Sequence, residues 1–210
     1  MIDKVFSSFG KAFCHTIAER SLVADGITFS VCARCSGIYI SAAIVFIYFL
    51  IRKRLKGNKP PSIFSTVLLA IMLLPFMLDG LTSYMGLRES NNLLRFVTGI
   101  LGGLPLPVFL TLITNFDPKG ENTKPIIKNV FELIFILCFV SFLGYLCYNN
   151  LLGYFIPQVL ILLGILSIYI SLLYMVYSIV LKKKKIAIKL SFITFFVYCI
   201  IVNFLRIMMR

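Results

Sequence analysis

Cys14-His15 and Cys32-Ala33-Arg34-Cys35 place three of the chain's six cysteines and its one histidine in a short amino-terminal stretch, directly before the first long apolar run. Sulfur and imidazole at that spacing suit a soft metal ion. Cys32 and Cys35 would chelate one ion, zinc by ligand type, with Cys14 and His15 completing the shell. On a helix, Glu19 would accept the imidazole's second N–H from four residues away. Adjacent residues diverge on a regular helix, so Cys14 and His15 can both bind only where the backbone is irregular. The same CxxC also suits a redox couple, with Cys32 activated by the helix start and by Arg34. No βαβ thioredoxin pattern accompanies it. A plainer reading has the cysteines buried or disulfide-bonded, tying the tail down. Cys138, Cys147 and Cys199 are scattered through apolar segments, where a cysteine behaves as a small hydrophobe.

A membrane bundle must position these residues. The 210 residues are 60% hydrophobic and 14% charged, with a mean hydropathy of +0.97. A soluble domain has roughly 45–50% apolar and about 25% charged residues. Six apolar runs approach the roughly 20 residues that span a bilayer: Ser36–Ile51, Ser62–Leu78, Asn92–Asn115, Ile126–Tyr148, Gly153–Leu181 and Ile186–Met208. The first two are short and need their flanks, and the fifth is long enough to tilt or project. The expected fold is an all-α polytopic integral membrane protein of about six transmembrane helices. It has a Cys/His segment over 1–36 and a transmembrane helical domain over 37–210, forming a single domain overall. The opening residues carry charges and cysteines rather than an apolar core with a small-residue cleavage site, so no cleavable signal peptide is expected.

Net charge is +13. The cations sit in short loops beside the spans, where they set topology next to anionic lipid, and nucleic acid is not an expected partner. Loops one, three and five hold Arg52, Lys53, Arg54, Lys56, Lys59, Lys119, Lys124, Lys128, Lys182 to Lys185 and Lys189. The other side holds Lys4, Lys11, Arg20, Arg34, Arg88, Arg95, Arg206 and Arg210. The larger group belongs in the cytoplasm, which leaves both termini on the outer face of the cell membrane. That outer face also collects most of the arginines, the residue of bidentate anion recognition, together with the cysteine cluster.

A second constellation follows the second span. Asp79-Gly80 ends that span, and Arg88-Glu89-Ser90-Asn91-Asn92 leads into the third. A helix beginning near Arg88 would place Arg88, Asn91, Asn92, Arg95 and Gly99 on one stripe. Ionisable residues in a membrane helix face the bundle interior and mark function by default. Asp79 would pair with Arg95 across the turn and serve as arginine partner or general base. Arg88 and Arg95, with the free N–H groups of the helix start, would face a phosphate or carboxylate. Pro105 and Pro107 break or kink the third helix after a small face at Gly99, Gly102 and Gly103. Arg20, Arg34, Asn203, Arg206 and, more weakly, Gln158 are further ligand candidates on this face.

Cys14-His15, Glu19-Arg20-Ser21 and Val31-Cys32-Ala33-Arg34-Cys35-Ser36-Gly37-Ile38-Tyr39 resemble the opening signature of a prokaryotic family of predicted membrane proteins, domain of unknown function 2085. Asp79-Gly80-Leu81-Thr82, Gly86 to Asn92, Arg95 and Thr98-Gly99 resemble the same family's second signature. The two cover roughly the first half of the chain. The resemblance implies a membrane-embedded site and supplies no reaction.

The residues point to a membrane protein with a Cys/His zinc site beside an Arg/Asn/Asp pocket, acting as an enzyme on, or a binder of, an anionic lipid head group or phosphate. Two alternatives stand beside it: a thiol–disulfide oxidoreductase using Cys32 and Cys35, and a transporter or channel subunit. Membrane lipids are the expected partners. Whether the protein is an enzyme is left open.

Overall fold

The computed structural model describes residues 2–15, 17–181 and 183–208. Lys182 and Arg210, counted among the loop and outer-face cations, lie outside the described residues. Six helical segments are long and apolar enough to cross a membrane. They are α2 (Ala33–Ile51), α3 (Ile63–Tyr84), the pair α4 (Asn92–Gly103) and α5 (Pro105–Asn115), α6 (Val130–Tyr148), α7 (Phe155–Leu181) and α8 (Lys184–Met208). α1 (Ile2–Phe13) and a 3₁₀ turn at Ala18–Arg20 precede them. The protein is an all-α polytopic membrane protein carrying one small hairpin.

Side-chain caps set several of the helix starts. Ser62 Oγ accepts from Ser65 N at 3.3 Å, Asn91 Oδ1 from Leu94 N at 2.7 Å, and Asn129 Oδ1 from Glu132 N at 3.0 Å. Each satisfies one N–H that the first helical turn leaves unpaired. Proline divides the third span as expected: α4 ends at Gly103, and Pro105 opens α5, where its missing N–H costs nothing. Two boundaries differ from expectation. α3 continues past Leu78 to Tyr84, so Asp79 lies inside the helix. α4 begins at Asn92, because Asn91 caps it, so Arg88 and Asn91 stand in the preceding turn and the single helical stripe does not form.

The hairpin pairs β1 (Ser21–Ala24) with β2 (Ile27–Cys32) in antiparallel register, with Val23 opposite Thr28 and Ala24 opposite Ile27. Its two-residue turn is Asp25-Gly26, at φ +53° and +76°. Positive φ at both central residues matches the strand twist, and Asp-Gly tolerates it. Asp25 then anchors the turn to the bundle by accepting the Tyr154 N–H at 2.7 Å.

α2 is the central helix, with Ile40, Ala42, Val45 and Phe49 fully buried. It packs most extensively on α4 and α7. The amino-terminal segment joins the same core through Phe6, Leu22, Phe29 and Val31. Phe13, at the end of α1, stacks on Phe195 of α8 with ring centroids 5.7 Å apart. One end of the bundle therefore gathers the hairpin, the start of α2, the end of α3 and the starts of α4 and α7.

The opposite, lysine-rich end is not uniformly solvated. Arg54 is 8% exposed, pairs with Glu132 at 2.6 Å and donates to the Ile126 carbonyl at 3.0 Å. Tyr48 also donates to Glu132. Arg54 is thus a buried structural cation among loop charges that otherwise, among the described residues, face solvent.

Candidate functional site

The sulfur cluster is built where three elements meet. Cys14 follows the last residue of α1, Cys32 ends β2 and caps α2, and Cys35 lies in the first turn of α2. With Cys32 at the cap in extended backbone and Cys35 three residues on, both side chains fall on one side of the helix start. The Sγ atoms of Cys14, Cys32 and Cys35 all lie within 4.8 Å of one another. None of the three is in a disulfide, and all are half-buried. A disulfide would need about 2.0 Å, whereas three thiolates around zinc at about 2.3 Å stand roughly 3.8 Å apart. The cluster needs little contraction to hold an ion. The Cys32 N–H donates to Cys14 Sγ at 3.3 Å, the kind of backbone contact that orients and stabilises a sulfur ligand. The Cys32 thiol is pushed above its ordinary value, first by its hydrogen bond with Cys14 and then by burial.

His15 does not join this group. It stands exposed, one residue past the helical bend, on the wall of a cavity that Cys14 also lines. The backbone is irregular there, as shared binding would require, but it carries the imidazole away from the three sulfurs. Glu19 sits in the separate 3₁₀ turn, so no helix aligns it with His15.

Beside the cluster lies a network centred on Asp79, which is 2% exposed. Arg34, the residue inside the CxxC, donates to Asp79 Oδ2 from Nε at 3.0 Å, and from Nη2 to both Oδ2 and the backbone carbonyl. Arg88 donates to Oδ1 at 2.8 Å and Ser90 to Oδ1 at 2.7 Å, while Thr98 reaches Oδ2 at 3.3 Å. Hydrogen bonds to the charged form and two cations occupy both carboxylate oxygens, which gives Asp79 the geometry of an arginine partner.

The partner is not the one expected. Arg95 makes no ion pair with Asp79; its Nη1 donates to Asn92 Oδ1 at 3.2 Å. It lies within electrostatic reach of Arg20, Arg34, Asp79 and Cys32 without a direct contact to the carboxylate. The reason is packing. A Cβ added to Gly99 would come 2.2 Å from the Arg34 carbonyl oxygen, and one on Gly37 would come 2.3 Å from that of Phe96. These glycines let α2 and α4 close to backbone contact, which sets Arg34 beside Gly99 and its neighbour Thr98, itself bonded to Asp79 of α3.

The other candidates divide. Asn91 is the cap of α4, and Asn92 donates to the carbonyls of Glu19 at 3.1 Å and Ser21 at 3.5 Å, holding the hairpin. Arg20 lies on the exposed 3₁₀ turn. Asn203 bonds back to Cys199 O in its own helix at 2.8 Å and is not brought to the cluster. Arg206 donates to Lys11 O at 2.5 Å and lines the same cavity as Cys14 and His15. Gln158, fully buried, accepts from Ser30 at 2.7 Å. Sequence reasoning missed Arg34 as the principal Asp79 partner, together with Ser90 and Thr98; their signal was membership in the two signature segments.

A family model described as a predicted membrane protein, DUF2085, matches residues 14–109. An uncharacterised protein of Methanothermobacter thermautotrophicus is 43% identical over 102 residues, covering 48% of this chain and 86% of that protein. An uncharacterised protein of Methanocaldococcus jannaschii is 39% identical over 105 residues, covering 48% of this chain and 65% of that protein. No solved structure matches. The matched half contains the sulfur cluster and the whole Asp79 network.

Proposed function

The chain belongs to the DUF2085 family of predicted membrane proteins, and from that premise we propose that it is a zinc-holding protein of the cell membrane. Cys14, Cys32 and Cys35 are the ligands. The observation that carries this reading is the approach of three sulfurs, none in a disulfide, to within 4.8 Å of one another, each delivered by a different segment. Three protein ligands leave a fourth position open, the arrangement of a zinc site that binds or activates a ligand rather than one closed for structure. When bound there, the ion would supply Lewis acidity toward an anionic group.

Charge supports the reading. A divalent ion on three thiolates carries one net negative charge. Arg95 lies within electrostatic reach of Cys32 and offsets it. Arg34, inside the motif, is held by Asp79 and fixes the start of α2 on which Cys32 and Cys35 sit. Asp79, Arg88 and Arg34 are therefore positioning residues in this reading. Redox exchange between Cys32 and Cys35 is the second reading, and the third sulfur, Cys14, brought into the same group favours a metal over a two-cysteine couple.

Cobalt substitution tests the proposal. Co²⁺ bound by three thiolates in tetrahedral geometry gives intense near-ultraviolet sulfur-to-metal charge transfer and visible d–d bands. Both should appear on the purified protein and vanish in Cys35→Ser. A cobalt spectrum lacking charge transfer would place the ion on nitrogen or oxygen ligands and sink the assignment.

A further inference from the structure

The cavity that Cys14 shares with His15 is about 340 Å³ and lies between the end of α1 and the two helices α7 and α8. Its walls combine Lys11, His15 and Arg206 with the rings of Phe13, Tyr169 and Tyr198. Tyr198 and Arg206, both on α8, reach neighbouring carbonyls of α1, those of Ala12 and Lys11. Among the described residues no carboxylate pairs with Lys11, His15 or Arg206. Arg206 commits Nη1 to the Lys11 carbonyl and retains other guanidinium donors in a planar fork that matches a phosphate. α8 turns Ile200, Ile201 and Phe204 outward at 68%, 51% and 58% exposure, so this side of the cavity borders the lipid region.

Cations set beside aromatic rings, next to a lipid-facing helix, match an amphiphile rather than a free ion. We propose that an anionic phospholipid, whose head group carries net negative charge, seats in this cavity, with its head group on Arg206 and Lys11 and its chain against Tyr198 and Tyr169. The site stands on its own residues. That its head group comes beside a metal ion, through Cys14, rests on the zinc reading above.

The test uses full-length protein in nanodiscs of phosphatidylcholine containing a minority of phosphatidylglycerol, released into mild detergent and weighed by native mass spectrometry. Wild type should retain phosphatidylglycerol selectively. Lys11→Gln with Arg206→Gln should retain it about tenfold less, the factor that ~1.4 kcal/mol of lost binding gives. Because Arg206 also tethers α1, Val202→Phe provides a second variant; it narrows the cavity with every charge in place and should lower retention similarly. Metal content is measured on each sample, so a lost lipid with metal retained separates this inference from the zinc assignment. Equal retention of the two lipids by wild type, or unchanged selectivity in both variants, would overturn the proposal. Displacement of the lipid by inorganic phosphate would overturn it too, by making the free anion the ligand.

Discussion

Arg34 and Asp79 join the two signature segments of the chain: the guanidinium between the paired cysteines grips a carboxylate 45 residues away on the next span, with Nε at 3.0 Å from Oδ2. Asp79 is buried at 2% exposure and also holds Arg88, Ser90 and Thr98. The contact fixes where α2 begins, and α2 begins at the cysteines.

Asp79→Asn should therefore cost about 1–3 kcal/mol, since it removes the charge partner of the half-buried Arg34 and breaks the carboxylate's hydrogen bonds. Arg34→Gln should cost far less in that background than in wild type, with a coupling of about 0.5–3 kcal/mol. Thermal unfolding of the four proteins in detergent measures it. Additive losses would mean that the pair contributes nothing of its own, and stronger coupling of Asp79 to Arg95 than to Arg34 would restore the partner that spacing suggests.

Gly99→Ala should destabilise by about 1–3 kcal/mol, because the added methyl would meet the Arg34 carbonyl oxygen at 2.2 Å and force α2 and α4 apart. Gly80→Ala is the matched control. Nothing lies within 4 Å of a Cβ there, so the better helix propensity of alanine should stabilise by up to about 1 kcal/mol. Unfolding midpoints that move together would remove the close approach from the argument.

The six spans were legible because a bilayer demands one long apolar run per crossing, and Asn92–Asn115 is bounded by polar residues at both ends. The amino-terminal hairpin was not read, although Asp25-Gly26 carries a strong turn signal. Its strands are only four and six residues long and stand between charged residues and cysteines, so the alternating pattern is brief. The cysteine cluster was legible from residue type. The partner of Asp79 was not, because periodicity along one helix says nothing about which helix lies beside it; Gly37 and Gly99 bring α2 against α4 next to Thr98, which also bonds Asp79. Arg54 looks like its neighbours Arg52 and Lys53 in the sequence, and only the fold brings Glu132 to it.

Metal-free and metal-loaded protein should respond oppositely to pH. Cys32 is held above its ordinary value of 9.0 in the fold, so its neutral form is favoured. The stability that gives is present below about pH 9 and is lost as pH rises through the folded value. A metal ion needs the thiolate, so loaded protein should instead lose its metal, and the stability that comes with it, on acidification. Melting temperatures of both forms across pH check the sign. A metal-free form that grows more stable at alkaline pH would contradict the Cys14–Cys32 hydrogen bond as the cause.

Both termini and the turn between α3 and α4 should share one side, the outer one, with Lys53 and Lys183 in the cytoplasm, as the loop cations demand. Reporter fusions at the carboxyl terminus and between α5 and α6 should give opposite signals. Matching signals would mean that one of the six segments does not cross.

Metal analysis of the purified protein, run beside thiol counting under native and denaturing conditions, tests the zinc centre most directly. Wild type and Cys138→Ser should carry about one zinc per chain. Cys14→Ser, Cys32→Ser and Cys35→Ser should each lose it, and three thiols should be shielded in native, loaded protein that become reactive on denaturation. Metal-free wild type with a Cys32–Cys35 disulfide that forms and reduces reversibly would contradict the zinc centre and make the cluster a redox site.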